Sequence, residues 1–395
     1  MGVRDREYDV AVAGLGGLGS SAAYWLARGG HSVVALEQFE LGHVRGASHD
    51  HSRIIRRSYH TPGYVALTGA AYETWHAVER DADEQLITRT GGIDIFPSGA
   101  AIDPAPYRAS LDACAVPYEM LDASEIRKRW PAFARGTTID ADVSAIYSAN
   151  TGIVAPARAT AVLQRLAAAY GADLRPITRV LGIDPTGDGG EVRVLTDTGT
   201  IRAGRVVVCA DAWVNRLLAP LGHAIPLTVT REQVSYFPCA DPDLQIGRFP
   251  VWIWMHDPSY YGFPVYGHLD AVKASEDCGG PEVDPDIRSF EPDGRMEGEL
   301  SAFMSALLGD RFAAPRTTTC LYTLTADRDF VVDRVPGCEN VSVALGAAHG
   351  FKFAAWFGRT LAELAAGRPK PAELAPFALD RPSLQRPFDR AGWLV

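Results

Sequence analysis

The sequence predicts an α/β fold (α+β overall), in which a Rossmann-like dinucleotide-binding domain is interleaved with an antiparallel β-rich substrate domain. A strand, a glycine-rich loop, a helix and a second strand follow one another at the amino end, and a strand, glycine loop and helix recur near the carboxy end. Between them, residues 225–325 carry alternating aromatic side chains with prolines at the turns, which is typical of antiparallel strands. We expect the first domain to comprise residues 1–85, 146–220 and 320–395, and the second residues 86–145 and 221–319.

The amino-terminal unit has the order of elements that a dinucleotide-binding motif requires. Its parts are the buried strand Tyr8–Ala13, the loop Gly14-Leu15-Gly16-Gly17-Leu18-Gly19, an amphipathic helix that stops at Gly29-Gly30, the strand Ser32–Leu36, and Glu37.

Each conspicuous residue of this motif has a physical task. Gly14 permits a tight turn, Gly16 lets the backbone approach a pyrophosphate, and Gly19 lets helix and strand pack closely. The phosphates meet the amino end of the helix, and Glu37 accepts a hydrogen bond from a ribose hydroxyl, which disfavours a 2′-phosphate. The alternative interpretation is a glycine-rich turn without a ligand, and the motif does not separate FAD from NAD.

The middle of the chain shows further helix and strand patterns. Apolar residues at helical spacing predict helices at Tyr64–Arg80, Ala105–Cys114, Ser124–Arg129 and Pro156–Tyr170. Leu86–Phe96 is interpreted as a strand pair that turns at Gly91-Gly92, and Asp197-Thr198-Gly199 predicts a hairpin followed by the strand Arg205–Cys209.

The carboxy-terminal unit is a second place where backbone N–H groups could face a ligand. Its parts are the strand Val341–Leu345, the loop Gly346–Gly350 and the helix Phe353–Ala366. Because an NAD domain usually closes in one continuous stretch, a dinucleotide domain completed from both ends of the chain favours FAD.

Composition excludes several classes of function. There are 38 Lys and Arg against 48 Asp and Glu, a net charge of −10, so nucleic acid and anionic membrane surfaces are not expected partners. No apolar run reaches the ~18–20 residues of a membrane helix, and no secretory signal is visible. The six cysteines are dispersed without a CxxC pair, which disfavours a disulfide scaffold and a zinc knuckle and makes the cytoplasm the expected compartment.

The chain resembles the monomeric sarcosine oxidase and N-methyltryptophan oxidase family, within the D-amino-acid-oxidase-like flavoproteins, over nearly its full length. The matching segments, specific as an ordered set, are the amino-terminal glycine loop, Ser52-Arg53-Ile54-Ile55-Arg56, Arg129-Trp130-Pro131, Asn150-Thr151-Gly152, Ala212-Trp213, Tyr260-Tyr261-Gly262-Phe263-Pro264, Thr319-Cys320-Leu321-Tyr322-Thr323 and His349-Gly350-Phe351-Lys352-Phe353. The resemblance implies a monomer with covalently attached FAD that oxidises a secondary amine carrying a carboxylate, with O2 reduced to H2O2.

Cationic side chains suit this chemistry, because the substrate carboxylate and the electrons that reach the flavin both bring negative charge. The resemblance implies that Arg56 and Lys352 clamp the substrate carboxylate and that Arg53 and His49 lie close to the flavin ring. Lys352 is expected in the first turn of the last helix, and Lys273 matches a lysine that assists electron transfer to O2. From the residues alone, a solvated basic loop and surface lysines remain the alternatives.

Cys320 stands where the family cysteine bonds the flavin 8α-methyl carbon, although a lone cysteine is more often a small buried apolar residue. We expect the positive charge of Arg53 and His49 to favour its thiolate. Tyr261, Tyr322 and Trp252 are expected in the substrate pocket, with core aromatics as the alternative for the tyrosines. The full set of expected cofactor-binding residues is Gly14, Gly16, Gly17, Gly19, Glu37, Ser48, Arg53, Val180, Cys320, Gly346, His349, Gly350 and Lys352.

Three departures from the family pattern bear on the substrate. Lys273 is followed by Ala274-Ser275-Glu276-Asp277 in place of a run that ends in a pocket histidine, Asp211 replaces a usual glycine, and Trp252 replaces a smaller side chain. His49-Asp50-His51 also resembles part of a metal site, but it lacks a distant third ligand, so no metal is expected.

Other functions remain possible from the sequence. They are a flavin amine dehydrogenase that passes electrons to a carrier, a flavin-binding redox sensor without turnover, and an NAD dehydrogenase.

Overall fold

A computed structural model describes residues 7–185 and 190–386. Its α-helices are α1 Gly17–Arg28, α2 Pro62–Ala82, α3 Pro104–Ala113, α4 Ala123–Arg129, α5 Pro156–Ala169, α6 Val214–Leu218, α7 Gly294–Leu308 and α8 Ala354–Ala365. Its strands are β1 Tyr8–Ala13, β2 Val33–Leu36, β3 Arg53–Ile55, β4 Ile87–Arg89, β5 Gly92–Phe96, β6 Glu119–Asp122, β7 Ser144–Ser148, β8 Gly152–Val154, β9 Asp173–Arg175, β10 Val180–Asp184, β11 Val192–Thr196, β12 Gly199–Val208, β13 Leu227–Pro238, β14 Val251–Trp254, β15 Tyr260–Phe263, β16 Ala271–Glu276, β17 Arg316–Thr325, β18 Val331–Val335 and β19 Cys338–Leu345.

The first sheet joins the two ends of the chain. Strand β1 lies parallel to β2 and β12, β2 is parallel to β9, and β12 is parallel to β19, while β10, β11 and the start of β12 form an antiparallel meander. Alternate residues of β1 cover opposite faces. Val10 and Val12 pack with α1, α5 and α8, whereas Ala11 and Ala13 pack on the face that α6 covers. This confirms the predicted α/β class, with a Rossmann-like unit built from both ends.

The second sheet contains the aromatic region and has the order β17-β13-β16-β15-β14-β5-β7-β6. All its pairings are antiparallel except β5 with β14. One face packs against α7, where Phe303 stacks on Tyr260 with 4.2 Å between ring centroids. The opposite face carries Tyr261 and Phe263 and meets Ile54 and Ile153 of a small third sheet, β3-β8-β4.

The predicted strand pair at Leu86–Phe96 is wrong in its pairing. Strands β4 and β5 both form, but β4 pairs with β8 of the small sheet, and β5 pairs with β7 and β14 of the second sheet. The Gly91-Gly92 segment therefore passes the chain between two sheets rather than closing a hairpin. The predicted helices and the hairpin at Asp197-Thr198-Gly199 lie where expected, and their ends agree with the prediction to within two residues.

Two of the expected domain boundaries fall inside strands. Residue 146 lies within β7 and residue 320 within β17, and both strands belong to the second sheet. Among the described residues, no helix is both long and apolar enough to span a bilayer.

Candidate active site

The amino-terminal glycine loop turns directly from β1 into α1. Gly14 has φ +98°, and a Cβ atom there would lie 2.4 Å from the carbonyl oxygen of Cys209. A Cβ at Gly19 would lie 1.8 Å from the carbonyl oxygen of Gly14, so strand and helix approach at these points only without side chains. Gly16 is the N-cap of α1 and no side chain caps it, whereas the Gly17 N–H donates to Ser48 Oγ at 2.8 Å. The helix amino end is therefore available to a phosphate.

Glu37 closes this end of the site. Its carboxylate accepts hydrogen bonds from the backbone N–H groups of Leu15 at 2.8 Å and Phe39 at 3.1 Å, and the residue is buried. Each carboxylate oxygen can accept more than one hydrogen bond, so a ribose hydroxyl can still donate to it. Val180, at the start of β10, lines the same cavity.

The carboxy-terminal loop approaches the glycine loop from the other side. Ala347 and Ala348 both have φ in the left-handed region, +43° and +69°, which is strained for residues with a side chain. Lys352 lies in a 3-10 turn, Gly350–Phe353, that precedes α8, rather than in the first turn of that helix as the sequence predicts. Trp75 of α2 fixes this turn, because its Nε1–H donates to the carbonyl oxygen of Lys352 at 2.8 Å.

One continuous cavity joins the two loops to the second sheet. The expected cofactor residues that line it are Gly14, Gly16, Gly17, Glu37, Ser48, Val180, Gly346, His349 and Gly350, and at its other end lie His49, Arg53, Arg56, Tyr261, Tyr322 and Lys352. Among the described residues, His49 Nε2 and His349 Nδ1 are buried without a hydrogen-bond partner. Such atoms call for a partner from a bound molecule, because an unpaired buried polar atom is costly.

Arg56 is a buried cation at the sheet end of the cavity. Its Nη1 donates to Asp94 Oδ1 at 3.1 Å, and its guanidinium lies 4.9 Å from the centre of the Tyr59 ring. Burial alone would lower the pKa of Arg56, but the Asp94 carboxylate together with the nearby Tyr59 and Tyr107 outweighs burial and raises it. Lys352 Nζ donates to the carbonyl oxygen of His349 at 2.9 Å, and burial together with the charges of Arg56 and Arg328 holds its pKa well below the usual range.

Asp50 connects the residues expected beside the flavin ring. It accepts hydrogen bonds from Lys273 Nζ at 2.5 Å and Arg53 Nη1 at 2.8 Å, and also from the Tyr236 hydroxyl. Lys273 is fully buried, and burial lowers its pKa to about 8 although Asp50 opposes that change. Burial and the nearby Arg53 lower the pKa of His49 to about 4, so its imidazole is neutral at pH 7. Sequence reasoning considered Asp50 only as a metal ligand and missed this role.

Cys320 lies in β17, next to this cluster but fully enclosed. Burial raises the pKa of its thiol to about 11, and although Arg53 opposes the increase, Glu232 and Asp50 reinforce it. Arg53 therefore acts in the expected direction and favours the thiolate, but burial outweighs its charge, so the pKa of the thiol stays above the usual range.

The two tyrosines predicted for the pocket line the cavity, with their hydroxyl oxygens 3.4 Å apart, but Trp252 does not. The Trp252 side chain is buried on the opposite face of the second sheet, with its ring 6.1 Å from that of Phe303. Ile253, the next residue of β14, lines the cavity instead, because successive strand residues point to opposite faces.

The departures from the family pattern have structural consequences. Asp277 lines the cavity and accepts a hydrogen bond from Arg328 Nη2 at 2.8 Å. Sequence reasoning missed this partly buried ion pair because the partners lie 51 residues apart. Asp211 also lines the cavity and has φ +45°, a conformation that favours glycine. Within residues 7–185 and 190–386, no group of three His, Cys, Asp or Glu side chains is placed to hold a metal ion.

A family model described as FAD dependent oxidoreductase (DAO) matches residues 9–364. The chain belongs to this family of FAD-dependent oxidoreductases. It is 35% identical over 377 residues to monomeric sarcosine oxidase of Streptomyces avermitilis, covering 91% of this chain and 93% of that one. It is 30% identical over 392 residues to monomeric sarcosine oxidase of an Arthrobacter species, covering 96% and 98%. The structure of NikD, an unusual amino acid oxidase essential for nikkomycin biosynthesis, superposes with a TM-score of 0.84 at 27% identity, covering 95% of this chain and 98% of that one.

The residues present fit FAD. The loops at the two ends of the chain provide a glycine cradle at a helix amino end, an acid at the ribose position and two unpartnered buried imidazole nitrogens along one cavity. FAD is the cofactor of the family. We therefore interpret the predicted dinucleotide-binding motif as an FAD site rather than an NAD site.

Proposed function

We propose that this protein is an FAD-dependent oxidase of a secondary amine that carries a carboxylate, an N-methyl or cyclic amino acid. The C–N bond is oxidised to an imine that water hydrolyses, and O2 is reduced to H2O2. The observation that carries the proposal is the cavity itself, which runs from the dinucleotide loops to a group of buried cations beside the second sheet. The names of the relatives, sarcosine oxidase and amino acid oxidase, support this substrate class.

Arg56 and Lys352 hold the substrate carboxylate in this proposal. Arg56 is pre-oriented by Asp94 and by the Tyr59 ring, so little side-chain freedom is lost when it binds an anion. Lys352 lies 5.7 Å from the centre of the same ring, which places both cations around one point. A bound carboxylate offsets the repulsion from Arg56 and Arg328 that lowers the pKa of Lys352, so we expect substrate binding to favour its protonated form.

FAD, when bound, accepts two electrons and a hydrogen from the substrate C–H bond and delivers the electrons to O2. The chain fixes the reacting carbon through the carboxylate clamp, and such fixation contributes much of the rate enhancement of an oriented reaction. Tyr261 and Tyr322 place two hydroxyl groups in the cavity near Ile253, and both phenols stay protonated because burial raises their pKa above 10.

Around the flavin, we assign the pyrophosphate to the loop Gly14–Gly19 and the ribose to Glu37. Arg53, His49 and Lys273 lie beside the ring, where Lys273 stabilises the negative charge that develops as O2 is reduced. The ammonium group of Lys273 is held in position by burial and by its contacts to Asp50 and to the carbonyl oxygen of Ser52, 2.7 Å away.

The covalent link is assigned to Cys320, which forms a thioether with the flavin 8α carbon. Support comes from its place on the cavity-facing side of β17, since Tyr322, two residues further along, lines the cavity. The proposal further includes a cytoplasmic monomer whose FAD domain is close to the expected residues 1–85, 146–220 and 320–395, with strands β7 and β17 kept whole in the substrate domain.

The test is oxygen consumption by the purified holoenzyme with N-methyl and cyclic amino acids, each compared with its carboxamide analogue. We expect the carboxylates to be oxidised with equimolar H2O2, and their amides, which cannot pair with Arg56 and Lys352, to react poorly. Oxidation only in the presence of an artificial electron acceptor would support a dehydrogenase, and equal reaction of amides and acids would overturn the clamp.

A further inference from the structure

Glu232 is a buried carboxyl group that the proposed reaction does not use. It lies in β13 directly opposite Cys320 of the antiparallel neighbour β17, and the two residues are 1% and 3% exposed. Side chains of directly opposed residues leave their strands on the same face, with Cβ atoms about 4.5–5.5 Å apart. The register of the neighbouring strands puts Lys273 and Tyr322 on this face as well, the face towards the cavity.

The Cys320 thiol needs a proton acceptor before it can react. A thiolate is the nucleophile, and with a pKa of about 11 only a very small fraction of the thiol is ionised near neutral pH. Covalent attachment therefore depends on a base close to Sγ.

Glu232 suits this task better than Asp50, the other carboxylate that acts on Cys320. Lys273 and Arg53 hold the pKa of Asp50 far below its usual range although burial opposes them, which makes Asp50 a weak base. Burial raises the pKa of Glu232 to about 7, and Asp277 and Glu276 reinforce this increase. A carboxyl group of this kind is partly ionised at neutral pH and still binds a proton readily.

The carboxyl group of Glu232 is also held in place. The Thr230 hydroxyl donates to Oε1 at 2.5 Å and the Gly280 N–H donates to Oε2 at 2.9 Å. These bonds orient the group and lower its pKa, so they oppose the effect of burial and keep the carboxylate available.

We propose that Glu232 accepts the Sγ–H proton of Cys320 when FAD becomes covalently attached, an inference that rests on the attachment proposed above. In this step the bond from Sγ to the flavin 8α carbon forms and one 8α C–H bond breaks, releasing a second proton. The two electrons reduce the flavin, and O2 then takes them and forms H2O2.

The test follows attachment itself rather than turnover. Each full-length variant is purified from flavin-limited cells, FAD is added, and samples are precipitated with acid to separate bound from released flavin. We expect E232Q to bind as much FAD as the unaltered protein but to attach it roughly 10²-fold more slowly, the usual contribution of a general base. E276Q is the matched control, because it removes a neighbouring carboxylate that is not opposite Cys320 and that raises the pKa of Glu232, so it should attach FAD no more slowly than the unaltered protein.

A second variant covers the case in which E232Q does not fold. T230V removes the hydroxyl that lowers the pKa of Glu232, so more of the carboxyl group is protonated and attachment at neutral pH should slow. Attachment at the unaltered rate in E232Q, or in T230V where E232Q is insoluble, would overturn the role of Glu232 and leave the link to Cys320 intact. Absence of acid-stable flavin in the unaltered protein, or its presence in C320S, would overturn the attachment and this inference together.

Discussion

Replacement of Arg56 by glutamine affects both substrate binding and stability, because Arg56 contacts Asp94 in the structure and the substrate carboxylate in the proposed clamp. In the proposed clamp its guanidinium donates charge-assisted hydrogen bonds to the substrate carboxylate, worth about 1.5–3 kcal/mol. At about 1.4 kcal/mol per factor of ten, loss of that energy raises KM roughly 10- to 150-fold. The same replacement leaves Asp94 as an unpaired carboxylate whose side chain is only 7% exposed. Breaking a buried ion pair in this way costs about 3–5 kcal/mol of unfolding free energy.

The double variant R56Q/D94N is the control that distinguishes the two effects. With both charges removed, no buried carboxylate is left unpaired, so we expect most of the stability to return while KM stays high. D94N alone retains the cation and should change KM much less than R56Q does. The assays are steady-state kinetics with an N-methyl amino acid and thermal unfolding of each purified flavoprotein. A normal KM in R56Q that retains its flavin, or recovery of KM in the double variant, would refute the clamp.

Three further predictions follow from other residues. K273M should slow reoxidation of the reduced flavin by O2 roughly 10²-fold, as measured by stopped-flow absorbance, with anaerobic reduction by substrate unchanged; equal slowing of both steps would contradict the role. Burial raises the pKa of Asp211 from 3.8 to about 6, so the stabilising contribution present at acid pH is lost as the pH rises from about 4 to 6, a loss of roughly 3 kcal/mol. D211G should therefore unfold at a higher temperature than the unaltered protein at pH 8 and show a smaller difference at pH 4, and the reverse order would contradict this account. W252F should lower the free energy of unfolding by roughly 1–3 kcal/mol, measured as a lower unfolding temperature, and leave KM unchanged. A changed KM would indicate that Trp252 contacts the substrate.

The amino-terminal unit could be predicted from the sequence because its determinants are local. Positions 14 and 19 require glycine, because a Cβ atom at either would lie less than 2.5 Å from a backbone atom. The flanking strands are short and apolar. The same holds for α5, where Pro156 begins the helix and an apolar face follows. Patterns of this kind report the conformation of a segment, so they succeed wherever conformation is set within about twenty residues.

The choice of strand partner and the face to which a side chain points depend on residues far away in the sequence, so the sequence did not predict them. The Gly91-Gly92 turn indicates a change of direction but does not tell which strand pairs with β5. The alternating aromatics of β14 predict two faces, yet only the packing of α7 decides that Trp252 lies away from the cavity and Ile253 towards it. Burial is equally hidden from the sequence, which is why the high pKa of the Cys320 thiol was not foreseen.

The most direct test of the central claim, that an amino acid held at the buried cations reduces the bound FAD, is anaerobic titration of the purified protein. N-methyl and cyclic amino acids are added without O2 while the flavin absorbance is recorded, and air is then admitted. The account predicts that at least one of these substrates bleaches the flavin completely, and that O2 restores its colour with one H2O2 per flavin. Flavin that stays oxidised with every such amino acid would contradict it.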